Sequence, residues 1–281
     1  MFYIDAHCDS VSGWKHLDFQ RLRRTFPDGG VQFAACFARE NAYETVNRQL
    51  DALDALFVPT VVRPSDVTRL KNSRSFGMLR AIEGGDSLEG RIERVDEFYG
   101  RGVRAFGLTW NTPNALHDEG LTDFGREVIA RLEKLGMLVD LAHISRAGFW
   151  DAMGCVKRPP IVSHACAAAL REHRRNLDNA QLRAVAERGG VVGICLYPPF
   201  LTEGEGADIE CAARHIAWVH RVAGREAVGL GTDFDGVDAL PEGIADVCDM
   251  PKLFDALRAA GMSAEDVELA AGGNWARILG C

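Results

Sequence analysis

The chain has 281 residues, a length that suits a single (β/α)8 barrel or one to two smaller domains. An apolar fraction of 47% and a charged fraction of 26% match globular averages, which excludes a disordered, collagenous or low-complexity chain. A net charge of −8 excludes a strongly basic nucleic-acid footprint and suits a protein with a carboxylate-rich pocket.

Eight short apolar runs of strand length follow one another along the chain, at residues 2–9, 31–38, 76–84, 103–111, 137–145, 160–166, 190–197 and 227–235. Segments with helical spacing separate them. Phe124, Val128, Ile129, Leu132 and Leu135 form one apolar face over 124–135, and Ile209, Ala212, Ile216, Val219 and Ala223 do so over 209–223. Before the seventh run, Asp178 is positioned to cap a helix and Gln181 to close a capping box, with Leu177 and Leu182 as the apolar staple. Ser263 opens a similar, weaker layout, and Gly102, Gly136 and Gly189-Gly190 stand where helices should stop. Eight strand–helix alternations predict a closed parallel (β/α)8 TIM-type barrel forming one domain over 1–281. An open doubly wound sheet would need a glycine-rich phosphate loop after its first strand, where this chain has Asp9-Ser10-Val11-Ser12-Gly13.

The eight cysteines, Cys8, Cys36, Cys155, Cys166, Cys195, Cys211, Cys248 and Cys281, show no CxxC pair and no regular spacing. Neither a disulfide framework nor a structural zinc module is expected, and they read as small apolar residues in a reducing compartment. No basic-then-apolar leader opens the chain, no run approaches 18 apolar residues, and residues 278–281 carry no anchor signal. The expectation is a cytoplasmic protein without a membrane anchor.

In a barrel of this kind chemistry is done at the carboxyl ends of the strands. His7 and Asp9 lie two apart at the end of the first run, so the strand period turns both to one face. Glu83 closes the third run, His143 the fifth, His164 the sixth and Asp233 the eighth. A lone histidine or aspartate at such a place is ordinarily a loop hydrogen bonder. Three imidazoles and three carboxylates at one rim, however, would stay unsatisfied or repel unless a cation neutralises them. The donor set suits Zn2+ or another first-row divalent ion better than Ca2+ or Mg2+, which prefer all-oxygen surroundings. Six such residues exceed the needs of one tetrahedral ion, so two ions are expected. His7 and Asp9 would hold one and His143 and His164 the other. Glu83 would bridge them, with a hydroxide shared between the ions, and Asp233 would be left as the acid–base group.

With these residues in place, the sequence resembles the membrane dipeptidase (renal dipeptidase) family of binuclear zinc peptidases within the amidohydrolase-like barrels. The likeness is carried by Ile4-Asp5-Ala6-His7-Cys8-Asp9, Ala81-Ile82-Glu83-Gly84-Gly85-Asp86-Ser87-Leu88, Leu141-Ala142-His143-Ile144-Ser145, Val162-Ser163-His164, His173-Arg174-Arg175-Asn176 and Gly231-Thr232-Asp233-Phe234-Asp235-Gly236. It runs to Gly273-Asn274-Trp275-Ala276-Arg277-Ile278-Leu279 and covers essentially the whole chain. The resemblance implies the same division of ligands, a free dipeptide as substrate with D-residues accepted at its second position, and in many members a homodimer. It also implies that Arg175 pairs with the dipeptide's carboxylate, as a guanidinium fork does well. Without the resemblance, Arg174-Arg175 reads as a solvated basic turn.

Two departures stand out. Mammalian members carry a histidine after the Leu-Thr of the fourth strand, whereas Leu108-Thr109 here is followed by Trp110-Asn111. Trp110 would pack against substrate, and Asn111, His117 or the metals alone would stabilise the oxyanion. His117 itself reads as a solvent-exposed loop residue. The loop after the fourth strand is also short, and the leader and lipid-anchor segments of the membrane-tethered relatives are not seen.

Tyr197 reads equally as a pocket wall or as core. His16, His173, His215 and His220 read as structural, the last two with no carboxylate partner at metal spacing. Asp235 is expected in a turn, and Asp5 behind His7 as its orienting group. Two rivals remain at this stage: a metallohydrolase of lactone, cyclic amide or β-lactam rings, and a binding protein that kept the scaffold without turnover.

Overall fold

Each of the eight runs corresponds to one strand, the second beginning one residue early at Gly30, in the computed structural model, which describes residues 1–204 and 206–280. These are β1 (Tyr3–Asp5), β2 (Gly30–Phe37), β3 (Phe76–Glu83), β4 (Val103–Gly107), β5 (Leu138–Asp140), β6 (Ile161–Ala165), β7 (Val191–Ile194) and β8 (Val228–Leu230). They pair in parallel and in chain order, and β8 returns to β1 with Leu230 opposite Asp5, so the sheet closes into a barrel. A parallel sheet covered on both faces explains why the runs are apolar without alternation, and β3 is buried along its whole length. Close approach is built in with glycine. A Cβ on Gly231 would lie 1.8 Å from the Ser163 carbonyl oxygen, and one on Gly193 2.1 Å from it.

The returns are helical: α1 (Phe19–Thr25), α2 (Ala42–Asp54), α3 (Pro64–Ser73), α4 (Glu93–Gly100), α5 (Asp123–Leu135), α6 (Arg146–Cys155), α7 (Asn179–Glu187), α8 (Pro198–Leu201), α9 (Ile209–Ala223), α10 (Met250–Ala259), α11 (Ala264–Glu268) and α12 (Asn274–Ile278). Their ends follow local chemistry. The Thr122 hydroxyl accepts from Gly125 N at the start of α5, and Gly136 ends it in the left-handed conformation, φ 75°. The α9 bounds coincide with the predicted apolar face. Asp178 accepts from Gln181 N while the Gln181 side chain accepts from Asp178 N, the capping box read in the sequence, and Ser263 caps α11. Trp275 of α12 is fully buried in one cluster with Ile4, Phe33, Leu79, Ala105, Ile161 and Val191 from six strands.

The strands are shorter at their carboxyl ends than the apolar runs suggest. β1 stops at Asp5, β5 at Asp140 and β8 at Leu230, so His7, Asp9, His143 and Asp233 all lie past a strand end. The reason is backbone geometry: His143 and Asp233 sit at φ 66° and 64°, which no strand allows. Beyond β1 the pairing continues as a bridge from Cys8 to Phe234, with Ala35 N donating to the Cys8 carbonyl and Asp233 N to that of His7, which keeps the alternation that His7 and Asp9 need.

Cys8, Cys36, Cys166, Cys195 and Cys211 are buried free thiols, and Cys155 and Cys248 are half-buried; Cys281 lies outside the described residues. Among the described residues no helix is long and apolar enough to cross a membrane.

Removing the α7 cap tests the local reading. Asp178→Ala is expected to cost about 1 kcal/mol, seen as a lower denaturation midpoint at unchanged slope, while Asp178→Asn keeps most of the stability.

Candidate metal centre

The barrel rim brings together all six residues that the sequence singled out there. His7 Nε2 lies 3.5 Å from Asp9 Oδ2, 3.7 Å from Glu83 Oε1 and 3.8 Å from Asp233 Oδ1. Glu83 Oε1 is also 2.7 Å from His143 Nε2 and 3.5 Å from His164 Nε2, and those two imidazole nitrogens are 2.7 Å apart. Glu83 and His164 are delivered by strands, while His7, Asp9, His143 and Asp233 come from the loops just beyond them. Gly236 leaves the room they need: a Cβ there would sit 2.1 Å from Asp9 Oδ2 and 2.4 Å from Asp233 Oδ1.

The outward nitrogens of two imidazoles are engaged. Asn111 Oδ1 is 3.0 Å from His143 Nδ1, and Ser163 Oγ is 2.9 Å from His164 Nδ1. Their Nε2 atoms therefore turn toward the centre, where the buried His7 Nε2 has no hydrogen-bond partner. Burial lowers the pKa of both His143 and His164 well below the ordinary imidazole range, with Arg175 and His7 adding to the effect. At His7 burial also disfavours the cation, but Glu83, Asp9 and Asp233 together outweigh it and lift the pKa to about 10. Burial pushes Glu83 up to about 8, opposed by His7 and reinforced by Asp9 and Asp233. Burial likewise raises Asp233 to about 6, against the pull of His7 and Arg175. Two triplets, His7 with Glu83 and His164, and His7 with Asp9 and Asp233, each place one donor atom per residue within 4.8 Å of the others and could hold a metal ion. An orphaned Nε2 and a concentration of lone pairs that only proton uptake would otherwise relieve fit a nitrogen- and oxygen-loving divalent cation.

Beside this cluster is a cavity of about 410 Å³ whose wall includes Trp110, Asn111, Arg175, Tyr197 and Phe200. Trp110 packs on Phe37 with ring centroids 4.7 Å apart, and Tyr197 packs edge-on against Phe200 at 5.0 Å. Arg175 is 7% exposed and has no carboxylate partner among the described residues; its Nη2 donates to the His164 carbonyl at 3.4 Å, and its Nε is unpaired. That overturns the reading of Arg175 as a solvated turn residue. Arg174 is the exposed member of the pair. A second cavity of about 590 Å³ shares Asn111, His143 and Arg175 with the first.

Several expectations need correction. His117 is only 6% exposed and lies on the second cavity, its Nε2 2.9 Å from Ser145 Oγ. It is buried because α6 offers a glycine against it: a Cβ on Gly148 would be 2.6 Å from the ring. His220 does face a carboxylate, Asp266 of α11 at 3.4 Å, a partner far away in sequence. Asp5 accepts from the backbone N of His7 and from Thr232 N and Oγ1, so it fixes the strand and not the imidazole. His215 is structural as expected, accepting from Ala167 N and facing the Leu201 carbonyl, and Asp235 serves a turn through Ser10, Lys15 and His16. Sequence reasoning missed Ser163, Gly236 and Cys195, whose Sγ lies 3.5 Å from Asp233 Oδ2. Ser163 and Gly236 stand inside the motifs already read, whereas Cys195 gave no signal.

Comparison with known proteins agrees with the resemblance. The family model "Membrane dipeptidase (Peptidase family M19)" matches residues 4–281. A protein of Klebsiella pneumoniae, described as an uncharacterized protein in the pqqA 5' region, is 31% identical over 83% of this chain and 92% of its own length. An uncharacterized dipeptidase of Schizosaccharomyces pombe is 32% identical over 85% of this chain, which spans 65% of that relative. Among solved structures, a metallopeptidase from Rhodobacter sphaeroides, liganded with a phosphinate mimic of the dipeptide L-Ala-D-Ala, superposes with a TM-score of 0.92 at 23% identity. That match covers 99% of this chain and 98% of the other.

If the cluster holds divalent ions, chelator dialysis lowers the thermal midpoint and zinc restores it, because a ligand bound only by the folded state stabilises that state. Glu83→Ala is expected to abolish most of the zinc response, which differential scanning calorimetry reads directly.

Proposed function

The chain belongs to the membrane dipeptidase family, and from that premise we propose that it is a metal-dependent dipeptidase hydrolysing free dipeptides. His7, Asp9, Glu83, His143 and His164 would hold two zinc ions, with Glu83 shared between them. Glu83 Oε1 lies within 3.7 Å of the Nε2 atoms of His7, His143 and His164 alike, which supports its being shared among the ligands. Ions held there supply Lewis-acid polarisation of the scissile carbonyl and a nucleophilic water near neutral pH.

The observation that carries the substrate class is Arg175. A buried guanidinium without a carboxylate partner is costly unless a ligand supplies the counter-charge. It stands on the wall of the same cavity as the ligand cluster, where its planar fork meets the α-carboxylate of a dipeptide. Asp233 and Glu83 act on Arg175 only from a distance, and a neutral lactone, cyclic amide or β-lactam ring without a carboxylate would offer its fork no direct partner, so the observation disfavours it. Asp233 takes the proton from the attacking water and delivers it to the departing nitrogen. Trp110 and Tyr197 wall the cavity around the substrate side chains. Because the Rhodobacter protein carries an L-Ala-D-Ala mimic, dipeptides with a D-residue in second position belong in any substrate screen.

Two variants test the assignment. Asp233→Asn is expected to retain the wild-type metal content and lose at least about 100-fold in kcat; unchanged turnover refutes the acid–base role. Arg175→Met is expected to raise KM for free dipeptides by about 10- to 100-fold, the loss of a charge-assisted pair. Cleavage of a C-terminally amidated dipeptide should be the same in variant and wild type.

A further inference from the structure

Asn111 lies on the wall shared by the two cavities, at the point where the chain turns after β4. Its backbone is left-handed, φ 49°, a conformation that asparagine tolerates better than most residues. The turn is pinned on both sides: Thr112 N donates to the Trp110 carbonyl at 2.6 Å, and Arg174 Nη1 to the Asn111 carbonyl at 3.5 Å. Held there, Asn111 Oδ1 comes within 3.0 Å of His143 Nδ1, across 32 positions of sequence.

The two central imidazoles are supported unequally. His164 lies in β6 and has a hydroxyl partner from the residue beside it, Ser163. His143 lies past the end of β5 on a left-handed backbone of its own, so no strand sets its ring, and its Nδ1 partner is Asn111. An imidazole offers a lone pair at Nε2 only when its proton is on Nδ1, and a buried Nδ1–H needs an acceptor.

We propose that Asn111 is a positioning residue for His143. Its side-chain oxygen accepts from Nδ1–H and holds the Nε2 lone pair toward Glu83 and His164. The proposal rests on the metal-centre reading of the rim. It places Asn111 on the metal side of the site, its oxygen engaged by His143, so that only its amide nitrogen remains to donate toward a substrate carbonyl. Partners of this kind typically govern metal affinity by 10- to 100-fold.

The test reads zinc binding and not turnover. Metal-free wild-type protein, Asn111→Gly, Asn111→Ala and Asn111→Asp are titrated with zinc against a chromophoric chelator. Glycine removes the acceptor while tolerating the left-handed backbone, alanine is a second acceptor-free variant, and aspartate retains an acceptor. Asn111→Gly and Asn111→Ala are expected to bind one of two zinc ions about 10- to 100-fold more weakly and the other as in wild type. Asn111→Asp is expected to bind both as wild type does. Wild-type affinity in the acceptor-free variants overturns the proposal whatever their activity, and so does equal weakening in all three variants, which would assign the effect to the loop. Failure of wild-type protein itself to bind zinc is a separate result that overturns the metal-centre reading.

Discussion

Lone pairs facing one another in a buried space are the constraint on which the rim depends. Three imidazole nitrogens and three carboxylates meet over separations of 2.7–3.8 Å, and the buried guanidinium of Arg175 on the same cavity wall pulls on Glu83 and Asp233. In a medium of low dielectric such an arrangement is costly until protons or a metal cation occupy it. Protons can relieve only part of it, since burial disfavours the protonated form of His143 and His164. A scaffold that holds these groups together must therefore be stiff enough to oppose their mutual repulsion.

A closed barrel provides that stiffness, and the loops add local devices. Four of the eight left-handed non-glycine residues, His143, Asp233, Asn111 and Asp235, lie at the rim, and those four are of types that bear the strain best. Gly236 gives two carboxylates room to lie side by side, and Asp5 ties the end of β1 to Thr232 beyond β8. None of these features improves the apolar core. Each makes sense as a means of aiming a side chain.

Much of this was legible in the sequence for a definable reason. A parallel barrel has one chemical end, so any ionisable residue closing an apolar run must fall there, and reading eight runs was enough to collect His7, Asp9, Glu83, His143, His164 and Asp233. The strand bounds were less legible, because apolar character continues past the strand end, as when the buried Leu141 and Ala142 lead into the left-handed His143. Contacts made between distant loops were not legible at all. His117 looks exposed until Gly148 is seen to admit its ring, and His220 looks unpartnered until α11 brings up Asp266. Arg175 was ambiguous for a related reason: whether an arginine in a turn is solvated depends on what folds over it, and only the resemblance favoured the buried answer.

The barrel's closure has a further consequence for how the protein comes into being. β1 and β8 meet through one register pair, and the groups that crowd His7 include Asp233, more than two hundred positions later. The first and last strands thus share a single seam, and the polar cluster straddles it. A nascent chain lacking its final strand would expose His7 and Asp9 without the partners that enclose them. Of the six rim residues only Asp233 follows the last strand in the chain, so such a product would lack that carboxylate and the closing seam while still carrying the other five.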